Sequence, residues 1–445
     1  MKKNGSFNVY SFLGKKFTCP FCPKEHCIPI QKLITEKEAI CSLFTIIYSL
    51  IKGKKILILS DDNTYEVAGR KCAEVLEKEY RVSSLILSAG RNERVHAEEK
   101  YFPEILSRLK GKDAILTVGA GSITDLGKYA ADNLKVPLIS FPTAPSMNVY
   151  TFGVAAFLSG GLKKTVPVKP AVGVITDLDI ISSAPLDLLK SGFADSLAKS
   201  FANADWRFSS LITGENFCAL PFKITTEAEN RYINKGGKLV ARNKRIIAGL
   251  MEGLNLGGLS MLIAGNSFPA SGGEHLISHF LDMIAHKQER ETFAYHGLQV
   301  GLGTMVSASI YERLKLFSTR DVEKRLRRNE INYDKAVVFY ARNNLNITKE
   351  FEKKLPLLKK LRNGLPFLWD RIKKEAFILT YPAGRIKKAL KEAGCPLKFS
   401  EIGVDKKLAF QAIIYSHFIR SRLTILDVAD ELGILSEIAE DFSGS

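Results

Sequence analysis

The sequence lacks a long apolar run. No stretch of roughly 18 or more apolar residues, the length a membrane-spanning helix requires, occurs among its 445 residues. The N-terminus, MKKNGSFNVYSF, has two lysines but no apolar segment after them, so a secretory signal peptide is not predicted. Internal repeats and low-complexity segments are also missing. These absences predict a cytoplasmic protein with no membrane span.

Cysteine is scarce, and its number is odd. Seven cysteines are scattered along the chain, which does not fit the paired disulfide framework of a small secreted protein. Three of them lie in the segment CPFCPKEHC together with a histidine. Cys19, Cys22, His26 and Cys27 form a possible zinc site, because thiolates and imidazole are good zinc ligands. A closed site would need four ligands from this one short segment, so reduced thiols packed on the domain are the alternative.

Acidic residues are outnumbered by basic ones, 47 to 64, which gives a formal net charge of +17. The excess is concentrated late, in KRLRRNE (324–330), KKLPLLKKLR (353–362) and RIKKALK (385–391). Apolar residues recur there at helical spacing, which predicts amphipathic helices with basic outer faces. No nucleic-acid-binding motif accompanies the charge, so we favour a solvated surface that attracts anionic substrates over one that binds nucleic acid or a membrane.

Apolar runs that alternate with helical patterns organise the first part of the chain. KILILS (55–60), SSLILS (83–88) and VPLIS (136–140) predict strands. This alternation is typical of an α/β fold with a doubly wound parallel sheet. Beyond residues 180–190 helical periodicity dominates. We therefore predict an α/β domain over residues 1–185 and an all-helical domain over 186–445, with the active site at the carboxyl ends of the strands.

A glycine-rich turn lies between a predicted strand and helix in LTVGAGSITDLGKYAA. Gly119 and Gly121 allow a tight turn and close approach of the backbone to a phosphate, which Ser122 and the first N–H groups of the helix can bind. Thr124 stands where G-x-G-x-x-G would have its third glycine, so the signal is moderate. For Asp125 and Lys128 the alternative is a solvated first helical turn.

Histidines and an aspartate suited to metal binding occur in three fragments of the predicted helical domain. They are Asp195 in GFADSLAK, His275 and His279 in GGEHLISHF, and His296 in AYHGLQVG. His275 and His279 are four residues apart and so share one helix face. An aspartate with two histidines leaves open positions on a divalent ion, as catalysis requires. Each histidine alone is more often structural, but together they predict a metal site.

These motifs, with FPTAPSMN and VITDLDIISSAP, occur in the order found in the superfamily of iron-containing alcohol dehydrogenase, glycerol dehydrogenase and dehydroquinate synthase. The chain most resembles the glycerol-1-phosphate dehydrogenase branch, particularly the bacterial type of arabinose operons, over about residues 15–435. The resemblance implies a Rossmann-like nucleotide domain followed by a helical domain, with NAD(H) or NADP(H) and one divalent metal ion, zinc or nickel, as cofactors. It also implies a homodimer or higher homo-oligomer.

The resemblance further implies a role for individual residues. By motif position, the metal ligands are Asp195, His275 and His296, and His279 lies near the substrate. The pyrophosphate turn is formed by Gly119, Gly121, Ser122 and Asp125, and the loop beneath the nicotinamide contains Thr143 and Ser146. Lys164 and Thr165 form a Lys-Thr pair near the cofactor, and Asp62 is a candidate for binding the adenosine ribose. The family loop has an Asp-Gly pair where this chain has Asn148 and Val149, which leaves substrate or rate open to change.

The implied reaction interconverts dihydroxyacetone phosphate and sn-glycerol 1-phosphate. Lys199, four residues after Asp195, lies on the same helix face and could bind the substrate phosphate, although a surface lysine is an equal alternative. Two rival activities share the scaffold, those of a glycerol dehydrogenase and of a dehydroquinate synthase. A third alternative is a non-catalytic member whose basic surface binds nucleic acid.

Overall fold

The computed structural model describes residues 7–89, 94–160, 162–290, 292–329, 333–343 and 345–444. Glu330, at the end of the first basic run, lies outside this set. The chain forms two compact units, one of Met1–Ser196 with Lys223–Gly265 and one of Leu197–Phe222 with Asn266–Ser445. The domain boundary predicted at residue 185 stays a prediction.

Unit 1 contains the strands. They are β1 Lys15–Thr18, β2 Glu25–Ile28, β3 Lys32–Glu36, β4 Lys55–Asp61, β5 Arg81–Leu87, β6 Ala114–Gly119, β7 Leu138–Pro142, β8 Val154–Ser159, β9 Leu162–Pro167 and β10 Gly173–Asp177. Six form one parallel sheet in the order β3-β10-β7-β6-β4-β5, and β1-β2 and β8-β9 form antiparallel hairpins. The predicted parallel sheet is confirmed.

The central strands are buried along their whole length. Every residue of β6, β7 and β10 is buried, which explains why apolar and exposed polar residues do not alternate along these strands. From β4 the chain goes to β5 on one side and then to β6 on the other. The strand order therefore reverses between β4 and β6, and ligands bind beside the carboxyl ends of strands at such a point.

Helices surround the sheet and make up unit 2. Those up to residue 197 are α1 Leu43–Tyr48, α2 Asp62–Thr64, α3 Arg70–Leu76, α4 Phe102–Leu109, α5 Gly121–Leu134, α6 Leu178–Ser183 and α7 Leu186–Leu197. Those that follow are α8 Lys199–Thr213, α9 Leu220–Glu229, α10 Gly236–Val240, α11 Lys244–Ala264, α12 Gly273–Lys287, α13 His296–Lys315, α14 Thr319–Arg328, α15 Asp334–Arg342, α16 Thr348–Glu375, α17 Ala383–Glu392, α18 Lys406–Tyr415, α19 Ile425–Glu431 and α20 Leu435–Ser443. The helical character predicted beyond residue 185 is confirmed.

Helix α11 is the one described helix that is long and apolar enough to cross a membrane. Charged and polar residues interrupt its apolar residues, so its sequence contains no continuous apolar run of that length. In the structure 83% of its most apolar window is buried, and it packs against β2, β3 and α6 in unit 1. This burial is what the core helix of a globular unit shows.

The basic runs lie on helices, as predicted. Helix α16 buries Leu358, Leu361 and Leu365, and α14 buries Val322 and Leu326, while most of their lysines and arginines face outward. Lys354 of α16 is the exception, since it is fully buried and its Nζ lies 2.7 Å from Asp427 Oδ1. The exposed lysines and arginines of the basic segments behave as solvated faces of amphipathic helices.

Candidate active site

The glycine turn joins β6 to α5 at the point where the strand order reverses. Neither glycine could be replaced without displacing a neighbour, because a Cβ at Gly121 would lie 2.6 Å from Met147 Sδ and one at Gly119 would lie 2.8 Å from Ile123 Cβ. The N-cap residue Ala120 offers no side-chain cap to the first N–H groups of this fourteen-residue helix. An uncapped helix N-terminus beside a buried glycine is a favourable place for a phosphate.

The carboxylate of Asp61, rather than that of Asp62, interacts with the neighbouring backbone. Asp61 ends β4 and caps α2, since its Oδ1 accepts a hydrogen bond from the Thr64 N–H at 2.7 Å. Asp62 is exposed in the first turn of α2. The structure thus places Asp62 beside β4, near the switch point, and its contact with a ribose stays a prediction.

Asp125 and Lys128 are buried, so the solvated interpretation of this helical turn is wrong. Lys128 Nζ lies 2.7 Å from Asp125 Oδ1 and donates hydrogen bonds to the carbonyls of Val149 at 3.1 Å, Phe152 at 3.4 Å and Val154. Burial lowers the pKa of Lys128, while the Asp125 carboxylate opposes that shift. The pair holds the segment that follows Asn148 against α5.

Residues 143–146 of the loop after β7 are buried, and the loop packs against α7. The Thr143 N–H donates to the carbonyl of Gly119 at 3.3 Å, and Ser191 Oγ donates to the carbonyl of Ser146 at 3.1 Å. A Cβ at Gly192 would lie 1.7 Å from the carbonyl oxygen of Pro145, so only glycine allows α7 to approach this closely. This contact fixes the position of the loop relative to α7, the helix that presents Asp195.

The other predicted residues of unit 1 lie in different surroundings. Asp195 is fully buried near the end of α7, and Asn148 is half-buried. Lys164 and Thr165 lie on β9, where both are exposed, and Lys164 Nζ donates to Ser159 Oγ at 2.6 Å. Their position on a two-stranded hairpin outside the main sheet does not itself identify a ligand.

Three histidines of unit 2 come together on α12 and α13. The ring centroids of His275 and His296 are 5.4 Å apart, those of His279 and His296 are 5.5 Å apart, and those of His275 and His279 are 6.2 Å apart. The two helices approach closely because Gly303 has no side chain, since a Cβ there would lie 2.4 Å from the carbonyl oxygen of Glu274. The sequence pattern predicted this grouping of histidines.

Buried hydrogen-bond partners orient two of these rings. Glu274 Oε1 accepts the Gly272 N–H at 2.7 Å and lies 2.8 Å from Nδ1 of His275. Ser278 Oγ lies 3.3 Å from Nδ1 of His296. A proton held on Nδ1 by such a partner leaves Nε2 as the coordinating atom, an arrangement typical of metal-binding histidines. Glu274 was not predicted, although its place beside His275 in GGEHLISHF was the available signal.

Two further carboxylates near the histidines were also missed. Asp282 joins His279 and His296 in a group whose candidate ligand atoms all lie within 4.8 Å of one another. Asp205 accepts hydrogen bonds from the Gly273 N–H at 2.8 Å, Tyr311 Oη at 2.6 Å and the Ile425 N–H at 2.9 Å. Burial, and then the charge of Glu274, raise the pKa of Asp205 well above its ordinary range. Asp205 fixes the backbone where α12 begins.

Lys199 is buried, so the surface interpretation of this lysine is wrong. Lys199 is the first residue of α8, and only 3% of its surface is exposed to solvent. Its Nζ donates a hydrogen bond to the carbonyl of Ala270 at 3.4 Å. Asn203, one turn later, donates to the carbonyl of Pro269 at 2.8 Å. Burying an ammonium group is costly unless it is paired or hydrogen-bonded, and the Ala270 carbonyl supplies one such partner for Lys199.

Replacing Glu274 with glutamine should weaken divalent-metal binding by about 10–100-fold. The amide keeps the size of the side chain but removes the charge that favours a proton on His275 Nδ1. Glu312→Gln, at an exposed position of α13, is the matched control. Metal titration of both variants measures the effect, and equal affinity in the two would contradict an orienting role for Glu274.

Comparisons with known proteins show which proteins the chain is similar to. Residues 34–185 match the family model of iron-containing alcohol dehydrogenase. Glycerol-1-phosphate dehydrogenase [NAD(P)+] of Bacillus licheniformis is 28% identical over 433 residues, 96% of each chain. The enzyme of the same name from Geobacillus thermodenitrificans is 31% identical over 290 residues, 64% of this chain and 71% of its own. The iron-containing alcohol dehydrogenase structure from Thermococcus thioreducens aligns with TM-score 0.60 at 14% identity, covering 93% of this chain and 98% of that one.

Proposed function

The chain belongs to the glycerol-1-phosphate dehydrogenases of the iron-containing alcohol dehydrogenase family, and from this membership we propose that it reduces dihydroxyacetone phosphate to sn-glycerol 1-phosphate with NADH or NADPH. The observation that carries the proposal is the cluster of His275, His279 and His296, with Glu274 buried behind His275. This grouping is the arrangement that a catalytic metal needs.

We propose Asp195, His275 and His296 as the metal ligands. The donor set fits a divalent ion, since imidazole nitrogen and carboxylate oxygen are ligands that zinc and nickel accept. A divalent ion bound there would supply Lewis acidity for polarising a carbonyl group. His275 and His296 would hold that ion with rings whose Nδ1 atoms are already engaged by Glu274 and Ser278. Turnover with added zinc compared with turnover with added nickel distinguishes the two metals.

His279 and Lys199 would act on the substrate itself. His279 would exchange the proton of the substrate oxygen at Nε2, and Asp282, whose Oδ2 lies 4.0 Å from Nδ1 of His279, would face the ring from its other side. Lys199 would pair with the substrate phosphate, and Asn148 would hydrogen-bond a substrate hydroxyl in place of the family aspartate. Burial of Lys199 restricts water around its ammonium group, which strengthens its attraction for an anion.

The nicotinamide cofactor would bind along unit 1. Gly119, Gly121, Ser122 and Asp125 would form or support the pyrophosphate site, Thr143 and Ser146 would lie beneath the nicotinamide, Lys164 and Thr165 would lie near the cofactor, and Asp62 would face the adenosine ribose. An acidic Asp62 there would repel a 2′-phosphate and so favour NAD over NADP. Bound NAD(P)H would supply the hydride that the ketone accepts.

Gly121→Val should weaken cofactor binding by about 10–100-fold, or roughly 1.4–2.8 kcal/mol. The added side chain would occupy the space that the phosphate needs beside the α5 N-terminus and would also press on Met147. Fluorescence titration with NADH and NADPH measures the affinity. Gly237→Val, at an exposed helical glycine of unit 1 with open space around its Cβ position, is the control for the change from glycine to valine. Unchanged affinity in Gly121→Val would refute the phosphate site.

The deciding experiment is a substrate panel with added zinc or nickel. Oxidation of NADH and of NADPH would be followed with dihydroxyacetone phosphate and with dihydroxyacetone. The dehydroquinate synthase alternative would be followed by phosphate release from that enzyme's substrate, because its reaction consumes no NADH overall. Turnover of the phosphorylated ketone would support the proposal, and preference for dihydroxyacetone would assign a glycerol dehydrogenase instead.

We further propose that the protein is cytoplasmic and forms a homodimer or higher homo-oligomer. Light scattering of the purified chain tests the oligomeric state. A salt-dependent gel shift without turnover would favour the nucleic-acid-binding alternative.

A further inference from the structure

The β1–β2 hairpin brings together two cysteines and the histidine of the N-terminal segment. Thr18 pairs with Glu25 and Phe17 with His26, and the turn closes where the Cys19 N–H donates to the carbonyl of Lys24 at 3.2 Å. The hairpin thus places two residues of the turn, Cys19 and Cys22, beside a histidine of the returning strand.

The separations in this cluster match those of ligands around one zinc ion. Cys22 Sγ lies 3.2 Å from Nε2 of His26, and the candidate ligand atoms of Cys19, Cys22 and His26 all lie within 4.8 Å of one another. Sulfur at about 2.3 Å and nitrogen at about 2.1 Å from a tetrahedral zinc ion are about 3.6 Å apart. Small adjustments of the side chains would therefore accommodate the ion.

Contacts around the cluster hold its side chains in place. Cys19 Sγ accepts the Phe21 N–H at 3.4 Å, which orients the sulfur atom. Cys19 and His26 are buried, and the His26 ring packs 5.7 Å from the Phe17 ring. A backbone hydrogen bond to Ile263 of α11 also engages His26. A metal-binding histidine typically makes such a hydrogen bond through the ring nitrogen that does not bind the metal.

Cys27 does not belong to this cluster. It follows His26 on β2, where neighbouring side chains point to opposite faces, and it is exposed while His26 is buried. The nine-residue segment therefore supplies three converging ligands rather than the four that its sequence offers. The three differ in chemistry from the imidazole and carboxylate groups of α12 and α13, because two of them are thiols.

We propose that Cys19, Cys22 and His26 bind a structural zinc ion. Thiolate ligands select zinc over harder divalent ions, so this site would hold zinc whichever metal serves catalysis. The fourth position of the ion would be filled by water or by another side chain. Because His26 also contacts α11 through Ile263, the ion would fasten the hairpin to the core of unit 1.

Metal analysis of the full-length chain tests the proposal. Purified with zinc and a thiol reductant, the wild type should hold one zinc ion more than either Cys22→Ser or His26→Asn. Cys27→Ser, at the neighbouring exposed position of the same strand, should retain that ion. His275→Ala should also retain it while losing the proposed catalytic ion, so that failure of either site is recognised separately.

Cobalt substitution gives a second measurement that does not depend on a variant folding. Wild-type protein loaded with cobalt should show an intense near-ultraviolet band from thiolate-to-metal charge transfer, and Cys27→Ser should keep it. Absence of this band in the wild type would overturn the proposal. So would zinc retention in Cys22→Ser equal to that of Cys27→Ser, or a Cys19–Cys22 disulfide found by mass spectrometry in protein isolated under reducing conditions.

Discussion

His275→Ala and His296→Ala should each remove nearly all of the proposed catalytic metal and lower kcat/KM by at least about a thousandfold. A Lewis-acid ion contributes several kcal/mol to the stabilisation of developing charge, and about 4 kcal/mol corresponds to roughly a thousandfold in rate. Each ring has its Nδ1 engaged by a partner, Glu274 or Ser278, so that Nε2 is oriented for binding. Loss of one of three ligands leaves too few donors to retain the ion.

The control for this experiment lies on the same helix. His286 is in the last turn of α12, about three turns from His275, and His286→Ala should retain metal and activity. Metal content is measured beside kcat/KM, because a variant that loses activity while retaining metal would indicate a different role. Full metal retention in both His275→Ala and His296→Ala would contradict the proposed metal site.

Dihydroxyacetone phosphate should be preferred over dihydroxyacetone by at least about a hundredfold in kcat/KM. Two charge-assisted contacts to a phosphate dianion contribute on the order of 3–6 kcal/mol, and each 1.4 kcal/mol or so is a factor of ten. Buried Lys199 is the cation that we propose for one of these contacts. The ratio of kcat/KM values for the two ketones measures the preference directly.

Substitutions separate the phosphate contact from the other parts of the site. Lys199→Ala should reduce the preference while leaving metal content intact, and Lys199→Arg should restore part of it because the charge remains. Lys190→Ala, at a partly exposed lysine of α7 paired with Asp187 at 3.3 Å, should leave the ratio unchanged. Asn148→Asp should alter turnover without removing phosphate selectivity. An unchanged ratio in Lys199→Ala would assign the phosphate contact elsewhere.

Local sequence patterns were sufficient to predict four strands of the sheet, β4 to β7, and the glycine turn, but not β3 or β10. Strands buried on both faces are continuous apolar runs, and β4, β6 and β7 stand out for that reason. The turn after β6 was predictable because its glycines are required locally, by the close approach of Ile123 and Met147. The grouping of His275, His279 and His296 was predictable because two of them are one helical turn apart and the third is only 17 residues farther along.

Residues whose role depends on distant partners were not predictable in the same way. Lys128 looks like a solvated helical lysine until the carbonyls of residues 149–154 are seen around it. Asp205 is 68 residues before Gly273 and 220 before Ile425, and no local pattern connects them. Buried Lys199 belongs to the same class. Polar residues satisfied by tertiary contacts have no periodic signal, so the sequence showed the ligand candidates but not the groups that orient them.

The discontinuity of unit 1 bears on the order in which the chain can fold during synthesis. Residues 197–222 belong to unit 2, and the last part of unit 1, residues 223–265, is made only after them. That last part contains α11, which packs on β2 and β3 and whose Asn255 carbonyl accepts the Thr151 hydroxyl at 2.7 Å. A nascent chain ending before α11 has a complete parallel sheet with an uncovered apolar surface, a state prone to aggregation. The core of unit 1 can therefore be completed only after residue 265 has left the ribosome.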